Sequence, residues 1–362
     1  MADLAKNYSH QKYALSIIDM VYSLALLLVF LGSGFSLFLE NLLKSKNPPS
    51  YLLIPAFLLL ISMLFYLLNL PLNFLASYSL EHKFNLSKQK IGDWWLDQLK
   101  TGVLAYIISL ILVLVFYWIL AKFNQWWLVI SIFWILFSVV LAKLTPVLII
   151  PLFFKYKKLE NEVLRARIFR LAKAMQVKLL DVFEIDFSKK TLKANAAFTG
   201  MGSTRRVILA DTLKDKYTND EIEVILAHEF AHYRLKHIIK LIAANSLVTL
   251  GLFFLIFKTS GYALEMFKLN SLAQLASLPL VFLYFMIFGI IMQPWEACLS
   301  RRFEKDADLL ALKVTNAKEA FISLMEKLAA QNLADRNPHP LIKFFFFDHP
   351  PIDERIKTAE KV

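Results

Sequence analysis

The stretch TNDEIEVILAHEFAHYRLKHIIKLIAANSLVTLGLFFLIF, residues 218–257, joins a polar, periodic segment directly to an apolar run. Thr218 is followed three residues later by Glu221, which is the form of a capping box and predicts that a helix begins here. Residues 238–257 supply roughly the 20 mostly apolar positions that a membrane-crossing helix needs. The stretch therefore predicts a helix outside the bilayer that is followed at once by a membrane span.

The composition of the whole chain agrees with several membrane crossings. Of the 362 residues, 57% are hydrophobic and the mean hydropathy is +0.52, whereas soluble domains are about 45–50% apolar. This composition excludes disorder and a collagen-like fold, and the single cysteine, Cys298, excludes an internal disulfide. Six runs are predicted as spans: residues 13–39, 51–80, 103–121, 126–154, 238–257 and 275–294.

Positive charge is distributed unevenly between the two sides of the predicted spans. With the N-terminus placed in the cytoplasm, the inside segments carry 35 Lys and Arg residues and the outside loops carry 5. Because cytoplasmic loops are enriched in basic residues, we expect both termini to be cytoplasmic. The net charge of +12 then indicates loops that face anionic lipid, and nucleic acid is not expected as a partner.

The predicted spans divide the chain into four parts, which alternate between membrane and cytoplasm. They are residues 1–154 with four spans, the cytoplasmic segment 155–240, residues 241–299 with two spans, and the cytoplasmic part 300–362. The first cytoplasmic segment contains a helical stretch and then three strand-like runs, at 160–177, 179–187, 194–199 and 206–210. We therefore expect a mainly α, multi-pass membrane protein whose cytoplasmic α+β domain carries a small sheet.

The helix after Thr218 carries the chemically informative motif His228-Glu-Phe-Ala-His232. Residues four apart lie on one face of a helix, so His228 and His232 can bind the same metal ion. Glu229 lies roughly 100° around the helix, where it can serve as general base for an attacking water. The alternative is a helix that merely contains two histidines. The capped helix and its place before a span favour a zinc site with peptidase chemistry.

A catalytic zinc ion takes three protein ligands and one open position, so a third ligand is needed. After the last span the chain reads Ser300-Arg-Arg-Phe-Glu304-Lys-Asp-Ala-Asp308. A continuous helix places Glu304 and Asp308 on one face, with Glu304 as candidate ligand. Asp308 is then placed to accept the free ring N–H of a ligating histidine. The alternative is a juxtamembrane helix that uses these acids in salt bridges with its neighbouring arginines and lysine.

The chain resembles the type 1 CAAX prenyl protease family, integral-membrane zinc metalloproteases, over nearly its whole length. The resemblance rests on several ordered motifs: Glu81-His-Lys-Phe-Asn85, Ile150-Pro-Leu-Phe153, Asn195-Ala-Ala-Phe-Thr-Gly200, Arg206-Val-Ile-Leu-Ala-Asp211, His228-Glu-Phe-Ala-His232 with His237, Ser300-Arg-Arg-Phe-Glu304 with Asp308, and His349-Pro-Pro with Arg355. It implies a gluzincin-like catalytic domain above a chamber that about six spans enclose. It also implies one Zn²⁺ per chain, bound by His228, His232 and Glu304, with Glu229 as the base.

The resemblance assigns roles to three further residues. Asn195 lies on a strand that borders the substrate cleft in the family, where an extended peptide can add through main-chain hydrogen bonds. His349 corresponds to a catalytic residue that approaches the scissile carbonyl and can stabilise its oxyanion. Arg355 orients these groups. The alternatives are an ordinary asparagine near a turn for Asn195 and a histidine beside a helix start for His349. We interpret His237 as a packing or hydrogen-bonding residue.

The sequence leaves the physiological substrate open. We expect a peptide or membrane-protein substrate, with or without a lipid group, and a chain that is compatible with a monomer. Eukaryotic members of the family have seven spans whereas six are predicted here, which favours a bacterial relative in the inner (cytoplasmic) membrane. An HtpX-like membrane quality-control peptidase uses the same chemistry and is the nearest alternative. A non-catalytic membrane scaffold with a structural zinc is a further alternative, although structural sites favour four Cys or His ligands.

Overall fold

Long helices form most of the protein in a computed structural model, which describes residues 2–200, 205–214 and 216–362. In chain order the helices are α1 (Ala2–Gly32), α2 (Phe35–Ser45), α3 (Ser50–Phe74), α4 (Leu80–Lys83), α5 (Ile91–Lys122), α6 (Trp126–Leu144), α7 (Ile150–Phe153), α8 (Glu162–Ala174), α9 (Asn219–Arg234), α10 (His237–Met266), α11 (Leu278–Thr315), α12 (Lys318–Gln331), α13 (Pro340–Phe346) and α14 (Ile352–Glu360).

Six helical stretches of the described chain are long and apolar enough to cross a membrane, which confirms the six predicted spans. They are Asp3–Gly32, Ser50–Lys83, Ile91–Lys122, Trp126–Phe153, His237–Met266 and Leu275–Thr315. In five of them only 11–17% of the most apolar window is buried inside the protein. Their exposed side chains are large and apolar, as at Val21, Leu67 and Leu247. Since a soluble protein rarely exposes so much apolar surface, these faces indicate contact with lipid.

The first span differs from the prediction of a single run over residues 13–39, because two helices share that run. Helix α1 ends at Gly32, and α2 begins at Phe35. Gly34 between them has a φ of 73°, a left-handed conformation that a glycine adopts without a Cβ clash. Helix α2 then packs on the turn before α11, where the buried Glu40 accepts the N–H of Ala276 at 2.9 Å.

Two spans end in π-helical turns next to proline residues. The turn Leu75–Ser79 follows Pro71 and leads into α4, and the turn Thr145–Ile149 contains Pro146 and leads into α7. Proline has no N–H to donate to the preceding turn, so the regular α-helical ladder is interrupted nearby. These turns bring both spans to the boundary of the soluble domain.

The soluble domain contains a four-stranded sheet: β1 (Tyr156–Lys158), β2 (Asp181–Ile185), β3 (Ala196–Thr199) and β4 (Arg206–Ala210). The strand order is β1-β2-β4-β3, with β2 and β4 parallel and the outer strands antiparallel to their neighbours. Strands β2 to β4 and helix α8 confirm the predicted elements. Strand β1 was not predicted, because its three residues are too few to show a period. Because β3 stands at the end of the strand order, it is an edge strand.

The core of this domain packs α8, α9 and α12 against one another and against the sheet. Phe230 on α9 and Phe321 on α12 are almost fully buried there, as is Ile168 on α8. Ala307 and Ala311 bring the end of α11 into the same core. Helix α11 thus continues without a break from the membrane into the soluble domain, and it carries its acidic residues to α9.

Candidate metal centre

Helix α9 begins with the predicted capping box. The N–H of Glu221 donates to Oγ1 of Thr218 at 3.2 Å, and the N–H of Thr218 donates to the carboxylate of Glu221 at 2.7 Å. Glu221 is buried and also binds Lys327 of α12 at 2.7 Å. Because both ends of this exchange are fixed, the start of the helix and its rotation are fixed. Because they are four residues apart, His228 and His232 lie on the same face of this helix.

Three side chains converge on one point at the junction of α9 and α11. Nε2 of His228 lies 3.1 Å from Nε2 of His232 and 3.1 Å from Oε2 of Glu304. Nε2 of His232 lies 3.3 Å from Oε1 of Glu304. A tetrahedral zinc ion with bonds of about 2.0–2.1 Å holds its donor atoms about 3.3–3.4 Å apart. The two histidine nitrogens and the carboxylate of Glu304 therefore lie at separations that fit a zinc ion.

The far side of His228 is held by a buried ion pair. Nδ1 of His228 lies 2.9 Å from Oδ1 of Asp308, and Arg355 donates to both carboxylate oxygens of Asp308 at 2.8 and 2.6 Å. Burial disfavours the charged form of His228, but its contacts with Asp308 and Glu304 outweigh burial and raise its pKa to about 9. In the metal-free site the neighbouring carboxylates thus stabilise a protonated, positively charged His228. A bound metal cation supplies this positive charge instead when His228 loses its proton.

The far side of His232 faces a different partner. Nδ1 of His232 lies 3.1 Å from Nδ1 of His237, the first residue of α10, whose ring stacks on Phe303 with the centroids 4.4 Å apart. When Nε2 of His232 binds a metal its Nδ1 carries the proton, so Nδ1 of His237 is the acceptor. His237 is thus a hydrogen-bonding residue, as the sequence indicated.

Glu229 and His349 lie beside the candidate ligand residues. Both line a cavity of about 190 Å³ together with His228 and Arg355. Nε2 of His349 lies 3.3 Å from Oε2 of Glu304, and its Nδ1 lies 2.9 Å from Asp348. Burial lowers the pKa of His349, but the contact with Asp348 and the charge of Glu304 outweigh burial, so the pKa is raised overall. A peptide in this cavity would meet an acid–base group and an imidazole together.

Asn195 lies at the start of strand β3, on the rim of the same cavity. Its carbonyl accepts the N–H of Ala210 at 3.0 Å, so its backbone faces β4. Backbone groups alternate in direction along a strand, and the N–H and C=O of Ala196 therefore face the open edge. The side chain of Asn195 is exposed and makes no hydrogen bond to the described part of the chain. The open edge of β3 and the candidate ligand His228 thus border one space.

The predicted site residues all meet in this region, but the sequence reasoning missed one wall of the cavity. The missed residues lie on α12 and at its end, and include Phe321, Leu324, Met325, Leu328 and Asn332. The apolar spacing of 321, 324, 325 and 328 is that of an amphipathic helix, which gives a signal for burial. It gives no signal for which neighbour α12 covers.

Two family models together match almost the whole chain. The model of peptidase family M48 matches residues 158–362. A model described as the CAAX prenyl protease N-terminal region with five membrane helices matches residues 2–155. In that range the described chain has four long apolar helices together with the short α2.

Individual proteins match over similar lengths. A metalloprotease of Bacillus subtilis named YhfN, uncharacterized, is 32% identical over 99% of this chain and 85% of its own length. CAAX prenyl protease 1 of Saccharomyces cerevisiae is 30% identical, also over 99% of this chain and 85% of its own length.

A solved structure extends this similarity to the fold. The crystal structure of S. mikatae Ste24p superposes with a TM-score of 0.88 at 28% identity, and the match covers 99% of this chain and 88% of that one. Fold, apolar helices and sequence all agree with the arrangement of α9 and α11, whose residues His228, His232 and Glu304 could bind a metal. The chain therefore belongs to peptidase family M48 and is a membrane-embedded zinc metalloendopeptidase.

Proposed function

We propose that this chain binds one zinc ion through His228, His232 and Glu304 and hydrolyses peptides that lie along strand β3. One observation carries the proposal. His228, His232 and Glu304 lie with their nitrogens and carboxylate oxygens 3.1–3.3 Å apart, and His228 lines the same cavity as Glu229 and the open edge of the sheet. A zinc ion and an extended peptide can therefore meet in one place.

Glu229 is the general base and acid of the proposed reaction. When bound, zinc supplies a Lewis acid that polarises the peptide carbonyl and lowers the pKa of water. The carboxylate of Glu229 takes the proton of the attacking water and delivers it to the leaving amine. His349 lies beside Glu304 and lines the cavity, where its imidazole can donate to the developing oxyanion. Both groups are in reach of the cavity without movement of the backbone.

Asp308 and Arg355 act on the ligand His228 and not on the substrate. Asp308 accepts a hydrogen bond from the N–H at Nδ1 of His228, which leaves Nε2 unprotonated and free for the metal. Arg355 neutralises Asp308 with two hydrogen bonds, so the carboxylate can stay buried next to Glu304. The pair fixes both the tautomer and the orientation of the ring.

The open edge of β3 supports an extended peptide as substrate. Ala196 presents backbone groups to the cavity that have no partner among the described residues, and Asn195 adds an exposed amide at its rim. We propose that the peptide adds to this edge as a fifth strand, with Asn195 bound to its main chain. Main-chain pairing recognises the extended conformation of the peptide more than the identity of its side chains.

The relatives suggest the class of substrate and the location. Because proteins named CAAX prenyl protease 1 match this chain, we propose membrane-associated or CAAX-type, prenylated peptides as substrates. The excess of basic residues in the inside segments supports cytoplasmic termini and a cytoplasmic site. The match to a Bacillus subtilis protein supports the bacterial cytoplasmic membrane.

The proposal is tested with the purified full-length protein in detergent. We expect one zinc per chain, cleavage of a CAAX-type peptide, loss of cleavage with a chelator and recovery with added zinc. A prenylated peptide and its unprenylated twin are compared in the same assay. A preference for the prenylated peptide supports CAAX processing, and equal rates point to membrane-protein quality control. Zinc-loaded protein that cleaves no peptide contradicts the proposal.

A further inference from the structure

We propose that Tyr8, Glu81 and Lys193 form a clamp that holds strand β3 at the position where it binds peptide. The inference rests on the proposed docking of substrate at β3. It concerns the motif Glu81-His-Lys-Phe-Asn85, which the metal chemistry does not use. The clamp residues are positioning residues, since none of them lines the cavity beside the ligands.

The clamp joins three distant parts of the chain in one set of short contacts. The Tyr8 hydroxyl on α1 donates to Oε1 of Glu81 on α4 at 2.6 Å. Nζ of Lys193, in the loop before β3, donates to the same oxygen and to Oη of Tyr8 at 2.8 and 2.9 Å. Its distance to the other oxygen of Glu81 is also 2.8 Å. The membrane helices are thereby bound directly to the catalytic domain.

Backbone contacts next to the clamp also join the end of the second span to the loop before β3. The N–H of Leu192 donates to the carbonyl of Leu86 at 2.8 Å, and the hydroxyl of Ser87 donates to the carbonyl of Lys190 at 2.6 Å. Residues 86–87, directly after the Glu81 motif, therefore run along residues 190–192. The loop before β3 rests on the end of the second span and cannot shift independently of it.

The residues that follow Lys193 lead directly to the open edge of β3, and each of them is held by a hydrogen bond. Thr212 donates to the carbonyl of Lys193 at 2.8 Å, and the N–H of Ala194 donates to the side chain of Asn332 at 3.0 Å. Asn195 then pairs with β4, and Ala196 presents its backbone groups to the cavity. Only Ala194 and Asn195 lie between Lys193 and Ala196 in the chain, and this segment is too short for its flexibility to absorb a displacement.

The metal ligands are held by other contacts. Helix α9 is fixed by its capping box and by Lys327, and His228 is fixed by Asp308. A weakened clamp is therefore expected to move the peptide-binding edge while it leaves the ligand atoms in place. This separation predicts an effect on KM without an equal effect on kcat or on zinc binding.

The test compares clamp variants with a matched ion pair at the other edge of the sheet. The variants are Glu81→Gln, Lys193→Met and the exchanged pair Glu81→Lys with Lys193→Glu. The control is Glu184→Gln, which breaks the 3.0 Å pair between Lys157 and Glu184 on β1 and β2. Measured are kcat, KM, zinc content and thermal unfolding of the full-length protein in detergent.

We expect each single clamp variant to raise KM by about tenfold, with kcat and zinc content near those of the wild type. The exchanged pair restores opposite charges and is expected to recover most of the loss in KM. The control variant leaves KM unchanged. Unchanged KM in the single variants overturns the inference, and so does a joint loss of zinc, kcat and thermal stability, which is the pattern of a purely structural pair.

A further variant separates this inference from the proposed function. Ala196→Pro removes the N–H that faces the open edge, at a position where proline is tolerated in an edge strand. If Ala196→Pro raises KM but the clamp variants do not, the peptide binds at β3 and only the clamp is wrong. If Ala196→Pro leaves KM unchanged, docking at β3 fails and the clamp fails with it. Wild-type protein that cleaves nothing contradicts the proposed function itself.

Discussion

Asp308→Asn tests how much the buried partner of His228 contributes to the metal site. The substitution keeps the shape of the side chain and removes its charge. It affects two groups at once, because Asp308 lies 2.9 Å from Nδ1 of His228 and accepts two hydrogen bonds from Arg355. Both Asp308 and Arg355 are largely buried, with side chains 2% and 11% exposed.

Two separate losses are expected. Removal of the partner of a metal-bound histidine typically lowers metal affinity by about 10–100-fold, which corresponds to about 1.4–2.8 kcal/mol. Arg355 is left with an unpaired buried charge, and the loss of one partner of a buried ion pair costs about 3–5 kcal/mol of stability. Asparagine still offers one acceptor oxygen, so the stability loss should lie near the lower end of that range.

The two losses are measured independently. Competition with a fluorescent zinc chelator gives the affinity, and thermal unfolding at saturating zinc gives the stability. The control is Asp306→Asn, the same substitution at an exposed position two residues earlier on α11. Combining Asp308→Asn with Arg355→Met removes the unpaired charge and should restore stability but not affinity. Zinc affinity of Asp308→Asn within twofold of the Asp306→Asn protein would refute the orienting role.

Three further predictions follow from the site and its helix. Glu229→Gln should keep its zinc and lose about 10²–10⁴-fold in kcat, whereas Glu223→Gln on the same helix should stay active; an active, zinc-loaded Glu229→Gln protein contradicts the assigned base. Zinc affinity should rise by about tenfold per pH unit up to about pH 9 and then level off, because His228 in the metal-free protein has a pKa of about 9 and must lose its proton to bind zinc. Chelator competition from pH 6.5 to 9.5 measures this affinity, and an affinity that does not change with pH contradicts the prediction. Thr218→Ala removes the helix cap and should lower the free energy of unfolding by about 1 kcal/mol, which thermal unfolding detects as a lower midpoint.

Much of the fold follows from local patterns in the sequence. Apolar runs of sufficient length predicted all six spans, and the capping box at Thr218 predicted where α9 begins. The spacing of His228 and His232 fixed their common face, because an α-helix repeats every 3.6 residues. The boundary of the first span was wrong because Gly32 and Gly34 allow a sharp break inside an apolar run, which hydropathy does not register.

The sequence by itself thus determined the class of protein, the spans and the ligand-bearing helix, since each depends on residues close together in the chain. Only the tertiary structure decided that β3 is an edge strand open to the cavity and that α12 forms a wall of this cavity. It also decided that Nδ1 of His232 faces His237 rather than a carboxylate. It alone joins Tyr8 to Lys193, 185 residues apart. Such contacts depend on how complete helices and strands pack together, and no local period records which distant segment will lie against another.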